Sequence, residues 1–423
     1  MSAACVVAAT LAVPARAAVQ QAQQVPPPGA PPPAPAAAPQ AQQVPPPGAQ
    51  PLAPAAVPII VPQPPTWLAP VWTVSLPAEP AAPAAFDTTQ AYVPLRDSRL
   101  VAVSLATGEA RWSIDVGSPI TPATGDGLVF VAVPRAVEAR VRESGSVRWR
   151  LPLDGGVAAP LLWDQGWLLA VTDTGTALAI RARDGQVIWQ RALGAPARVV
   201  PSLGADRAYF PLTDGRVVAV NLLTGAPVWE RRLGGPPARI LVLDDRLFVG
   251  SADNFFYCLD TARGGVRWRW RTGGDIVGLP AVDAKSVYFV AADNVMRALD
   301  RGNGSQRWKA SLATRPAGGP QLFDDSLLLV SGIAPQVWAY RKKDGVLAAE
   351  MPAPAELAAP PYIAPPDAPA HIRLVVMTGE GHVQALGLAP IGHPVMGLPL
   401  FVGLPAMEGT PPPGTGSLPP PAV

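Results

Sequence analysis

Thr107-Gly108-Glu109-Ala110-Arg111-Trp112 carries the pattern Gly-x-x-x-Trp, and the same spacing returns all along the chain. It recurs at Gly145/Trp149, Gly185/Trp189, Gly225/Trp229, Gly264/Trp268 and Gly304/Trp308. A further copy keeps Gly345 but has Ala349 where Trp is due, and an earlier one keeps Trp72 but has Leu68 where Gly is due. Successive copies stand roughly 40 residues apart. A fixed period with one turn and one large aromatic per unit marks a repeat architecture in which neighbouring units bury each other's apolar faces.

Inside each unit the residues read as strands. Apolar runs of four to seven residues (128–133, 167–171, 207–210, 247–250, 287–290, 327–330 and 374–377) are rich in Val, Leu and aromatics. They end at Thr174-Gly175, Asp214-Gly215, Asp253-Asn254, Asp293-Asn294 or Gly379-Glu380-Gly381, all residues that accept positive φ in tight hairpins. No helical period is sustained. Ten residues before each Trp stands a small residue: Ala102, Ala139, Ala179, Ala219, Cys258 and Ala298, with Ala339 before Ala349. A position kept small implies tight packing, which we expect to be one sheet against its neighbour. Cys258 is then a small apolar filler and not a reactive or metal-binding thiol.

Each unit supplies three strands before its Gly turn and a fourth that carries the Trp. The last unit, 359–388, has inner strands but no Trp strand, and 71–76 is a Trp strand with no inner strands before it. Together they complete one another. The sequence therefore predicts an all-β, eight-bladed propeller of four-stranded antiparallel blades over 67–390, closed by the N-terminal strand pairing with the last blade. Closure satisfies the edge N–H and C=O groups that an open ring leaves unpaired. A buried Trp between blades is worth at most roughly 4–6 kcal/mol, from about 25 cal/mol per Å² over about 150–250 Å². Ala349 then marks a weaker joint, unless Trp338 fills the gap.

The flanks differ in composition. Residues 1–18 read as a signal-peptide-like segment, an apolar run followed by Ala15-Arg16-Ala17, though without a basic start. A competing reading takes Ser2-Ala3-Ala4-Cys5 as a lipid-attachment motif on Cys5; Ser2 in place of Leu speaks against it. Residues 19–66 are a Pro/Ala/Gln-rich linker in which Gln21–Ala30 repeats word for word at 40–49, and 391–423 is a Pro-rich tail. Neither holds the apolar material for a core. No stretch reaches the ~20 apolar residues of a membrane span. With 49% hydrophobic residues and a net charge of +2, the chain has ample core and no charge argument for nucleic acid. The expectation is an exported protein in the periplasm or on the periplasmic face of the outer membrane.

Residues with catalytic or ligating chemistry do not converge. His371, His382 and His393 lack the spacing of zinc ligands on one element, and Asp260 and Asp300 sit where Asp caps a turn. No catalytic, cofactor or metal site is expected. Arg267-Trp268-Arg269-Trp270-Arg271 alternates strictly, which on a strand puts both Trp on one face and Arg267, Arg269 and Arg271 on the other. The plainer reading is a solvated edge strand protected from aggregation by charge; the functional one is a docking stripe for an acidic partner.

The repeat Ala-x-(Asp)-x-x-Thr-Gly-x-x-x-Trp, seen at 102–112, 219–229, 258–268 and 298–308, resembles the pyrroloquinoline-quinone-type propeller repeat. Two branches of that superfamily bear on function. Resemblance to the BamB family implies a non-enzymatic, eight-bladed scaffold that binds a subunit of the outer-membrane β-barrel assembly machinery. Resemblance to the quinoprotein dehydrogenases implies a quinone held against a vicinal disulfide, with Ca²⁺ beside a catalytic Asp. Without Cys5, Cys258 has no partner for such a pair. The expectation is thus a protein-binding scaffold without bound quinone; a quinone-dependent oxidoreductase and a carbohydrate- or ligand-binding disc are the alternatives.

Overall fold

The structure, a computed structural model, describes residues 68–388, all within one compact unit. The signal-like segment with Cys5, the linker, His393 and the tail lie outside the described residues. Among the described residues, eight antiparallel sheets of four strands each form the blades of a propeller. Blades 1 to 7 are the consecutive segments 85–115, 123–152, 162–192, 202–232, 237–271, 276–311 and 321–352. Blade 8 joins 362–388 to the strand Leu68–Ser75. That strand pairs antiparallel with His382–Leu388, from Leu68 opposite Leu388 to Ser75 opposite His382. The first strands line the axis, touching their neighbours from blade 1 to blade 3 and from blade 4 to blade 7, while the Trp strands form the rim. One short 3₁₀ turn, Pro369–His371, interrupts the β structure. The hairpin turns use the left-handed backbone foreseen for them, with φ of +78° at Gly175, +63° at Asn254 and +59° at Asn294.

Across each blade the side chains fall into rows that explain the small residue. Tyr92 lies opposite Ala102, which lies opposite Trp112. The two rings close over the alanine with centroids 5.8 Å apart. Phe130–Ala139–Trp149, Tyr209–Ala219–Trp229 and Tyr288–Ala298–Trp308 repeat the arrangement at 5.8–6.0 Å. In blade 5 Cys258 takes the alanine's place between Phe248 and Trp268. The small residue thus serves two packings: its blade's second and fourth strands close over it, and it falls in the apolar cluster shared with the next blade, as Ala102 does with Val129 and Val131 and Cys258 with Val287 and Phe289. Tilted aromatic pairs of this kind add roughly 0.5–1.5 kcal/mol beyond area burial.

Between blades the glycine does more than turn the chain. Gly108 sits at φ +77°, and a Cβ there would lie 2.7 Å from the Trp72 ring. Every Gly of the signature in blades 2 to 7 meets the Trp of the preceding blade in the same way, from Gly145 under Trp112 to Gly345 under Trp308. The indole N–H then donates to the carbonyl three residues before that glycine. Trp72 reaches Leu105, Trp112 reaches Arg142, Trp149 reaches Ala182, Trp189 reaches Leu222, Trp229 reaches Thr261 and Trp308 reaches Lys342, at 2.6–2.9 Å. Trp268 departs from the rule. Its expected acceptor, the Arg301 carbonyl, accepts from Arg246 at 2.6 Å, and its own buried N–H has no partner.

The eighth joint is built differently. Leu68 and Ala349, the two departures from the repeat, fall in the same apolar cluster, with Met351, Phe323 and Leu374. Leu68 begins a strand and closes no turn, so glycine is not needed there; the bulk that Leu68 adds is removed at Ala349. Trp338 does not fill this gap. It is buried against Tyr288 and Trp308 on the other side of blade 7.

Replacing Trp229 by Ala should cost roughly 3–5 kcal/mol, read from denaturant melts. Ala349→Trp alone should cost roughly 1–3 kcal/mol by overpacking, and adding Leu68→Gly should recover most of it. Strict additivity in that double-mutant cycle would show that the two positions do not meet.

Candidate functional site

The innermost strand of blade 5 reads Pro237-Ala238-Arg239-Ile240-Leu241-Val242-Leu243, a single charge in an apolar run. Pairing sets its level in the ring: Leu241 lies opposite Phe248 as Ala281 lies opposite Tyr288 and Ser202 opposite Tyr209. Two residues earlier in each blade is the position held by Arg239. Its equivalents, from Pro83 and Thr121 round to Gly319 and Pro360, are all uncharged. Arg239 thus stands alone at its level.

Beside it a cavity of 510 Å³ opens on the inner strands of blades 5 to 7, with Pro360 from blade 8. Leu241, Leu279, Val282 and Leu322 make apolar walls, and Gln321 is the second polar side chain. Blades 6 and 7 close up backbone to backbone here: a Cβ on Gly319 would lie 1.9 Å from the Leu279 carbonyl oxygen. The Arg239 side chain keeps accessible surface because the cavity is open, yet it is ringed by protein, and that burial pulls its pKa down. Sequence reading passed over Arg239; its signal was the lone charge in an apolar innermost strand.

The basic stripe lies at the rim, far along the sheet from the axis. In the strand Val266–Arg271 the three arginines are exposed and the two tryptophans half-buried, the alternation that the sequence predicts. Two of the arginines have partners in their own blade. Arg267 pairs with Asp245, and the Arg269 guanidinium lies 4.8 Å above the Phe255 ring. Arg271 projects without a hydrogen bond or ion pair among the described residues. The structure thus brings these three to one edge but leaves only Arg271 free.

The remaining titratable groups hold the fold. Asp260 accepts from the backbone N–H groups of Arg263 and Gly265, and Asp300 from those of Gly302 and Asn303. His382 lies 3.0 Å from the Ser75 hydroxyl across the closing strand pair. Glu138, almost wholly buried, gathers Arg140 and Arg150; removing one member of such a group strands a buried charge, at roughly 3–5 kcal/mol. Among the described residues no cluster of His, Cys, Asp or Glu has the makings of a metal site. No helix among them is long and apolar enough to cross a membrane.

Burial pushes the Cys258 thiol up to about 11, and it has no accessible surface. A thiol reagent at neutral pH should therefore label Cys258 only on unfolding, as quenched mass spectrometry would show. Burial, helped by the neighbouring Asp253 and Asp283 carboxylates, pushes Tyr257 and Tyr288 to about 12. Burial, with Glu350 nearby, does the same for Tyr340. The ordinary value is 10.0, so the fold favours the neutral phenol. That stability is fully present below about pH 10 and is lost as pH rises toward 12. Urea midpoints should fall over that interval, together with the phenolate absorbance step.

A sequence model described as outer membrane protein assembly factor BamB matches residues 96–241, 235–311 and 295–389, well over half of the chain. A curated relative of the same description, from Nitrosomonas eutropha, is 26% identical over 164 residues. That match takes in 36% of this chain and only 40% of the relative's length. Among solved structures, BamB from Moraxella catarrhalis superposes with a TM-score of 0.60 at 18% identity, covering 76% of this chain and 99% of that one. A quinohemoprotein alcohol dehydrogenase from Pseudomonas putida HK5 gives 0.62 at 14% identity and 78% of either chain. At such identities the superpositions speak to the propeller alone. The repeat signature, the eight closed blades and the family match converge: this chain belongs to the family of outer membrane protein assembly factor BamB.

Proposed function

We propose that the chain is an exported, non-enzymatic scaffold that binds a protein subunit of the outer-membrane β-barrel assembly machinery from the periplasmic side. The observation that carries this reading is the family match from residue 96 to residue 389, which takes in blades 2 to 7 whole and parts of blades 1 and 8. The fold suits the role: interlocked blades present loops on two faces and exposed strand edges on the rim, all held rigid by the joints described above. In this reading 1–18 directs export, the linker 19–66 gives the propeller reach, and the rim arginines form part of the docking edge.

The second reading, a quinone-dependent oxidoreductase, fits the residues poorly. Pyrroloquinoline quinone is a tricarboxylate, whereas Arg239 is the one cation lining the axial cavity. Cys258 is sealed between Phe248 and Trp268, away from the axis. The donor set for Ca²⁺ is likewise not assembled among the described residues. We therefore read the protein as acting without that cofactor.

Cross-linking in native envelopes, followed by mass spectrometry, should recover a β-barrel assembly subunit bound to the propeller. A triple variant Arg267→Glu, Arg269→Glu and Arg271→Glu should weaken that capture at least tenfold (about 1.4 kcal/mol) with an unchanged fold by circular dichroism. Recovery of no assembly component from the wild-type chain would overturn the scaffold reading. Undiminished capture by the triple variant would move the docking surface off the blade 5 rim.

A further inference from the structure

We propose that the axial cavity is a binding site for a small apolar monoanion, a medium-chain alkyl carboxylate, with Arg239 holding the carboxylate and the walls of blades 5 to 7 holding the chain. This is independent of the scaffold reading and concerns a different surface of the molecule.

The argument starts from charge. Among the described residues Arg239 has neither a hydrogen-bond nor an ion-pair partner, and no carboxylate lines the cavity. Three other arginines show the contrast: Arg216 is matched by Asp214 and Glu230, Arg297 by Asp293, and Arg246 by the Arg301 and Gly302 carbonyls. The Arg239 guanidinium keeps accessible surface at the open cavity, so an entering carboxylate can reach it and accept two parallel N–H···O bonds.

Shape and lining choose the rest of the ligand. The 510 Å³ of the cavity falls within the roughly 300–1,000 Å³ of ordinary small-molecule sites. Apart from Arg239 and the Gln321 amide, its side chains are Leu, Val, Ala and Pro. One cation with one amide donor suits a single anionic group; apolar walls suit an aliphatic body. Gly319 lets the blade 7 strand press on Leu279 of blade 6, and Gly318 lets Pro360 of blade 8 approach it, so the walls come pre-formed.

The purified full-length protein would be titrated with the fluorescent apolar anion 8-anilinonaphthalene-1-sulfonate, which is then displaced by decanoate or by decanol. Decanoate should displace the probe at least tenfold more effectively than decanol. Arg239→Gln should abolish that preference, Arg239→Lys should restore part of it, and Arg271→Gln, which removes an exposed rim cation, should leave it intact. Near-ultraviolet circular dichroism would verify that each variant keeps the native fold. Equal displacement by acid and alcohol, or an unchanged preference in Arg239→Gln, would overturn the proposal. Because no partner protein is present, either result leaves the scaffold reading untouched.

Discussion

The propeller depends on one contact: an indole laid flat on a glycine of the next blade, with its N–H bonded to a carbonyl of the same turn. Three separate requirements meet at that glycine. The turn demands positive φ, the ring demands that no Cβ intervene, and the carbonyl must be presented at the ring's edge. Any larger residue would fail the first two together. A repeated joint of this kind also distributes stability, since each blade is tied to its successor by the same few atoms.

Departures from the repeat show what each part contributes. Where the ring closes, the chain enters as a new strand and makes no turn, so the φ constraint disappears and Leu68 replaces glycine. The partner position then shrinks to Ala349, and the cluster around them is completed by aliphatic side chains and Phe323. At the joint of blades 5 and 6 the packing survives but the indole hydrogen bond does not; Arg246 bonds the Arg301 carbonyl there, although the Thr261 carbonyl one joint earlier accepts from both Arg207 and Trp229. Trp268 stays in place by packing without that bond. Across the joints that carry the signature the Trp-on-Gly packing is the constant element and the hydrogen bond an addition to it.

Function attaches to this scaffold at surfaces that the joints leave free. The rim edges and loop faces carry the scaffold reading, as the family match suggests, while the axis holds a cavity whose single cation has no role in packing. Spending little sequence on each joint leaves most exposed positions open to change, which is how one propeller fold serves unrelated activities.

From sequence alone one could read the blade number, the strand order within a blade, the closing strand and the alternation of the blade 5 rim, because each follows from a local period: two residues for a strand, about 40 for a repeat. Reasons that reach across blades were hidden. The small residue at Ala102 or Cys258 read as sheet-on-sheet packing, which the shared clusters bear out, but the rings of the second and fourth strands that also close over it were not legible. The pairing of Leu68 with Ala349 joins positions at opposite ends of the fold, and Arg239 gains meaning only when eight inner strands form a ring in which it is alone. Periodicity along a chain specifies which residues recur; only the folded ring decides which of them face one another, since that depends on distances in space between residues far apart in sequence.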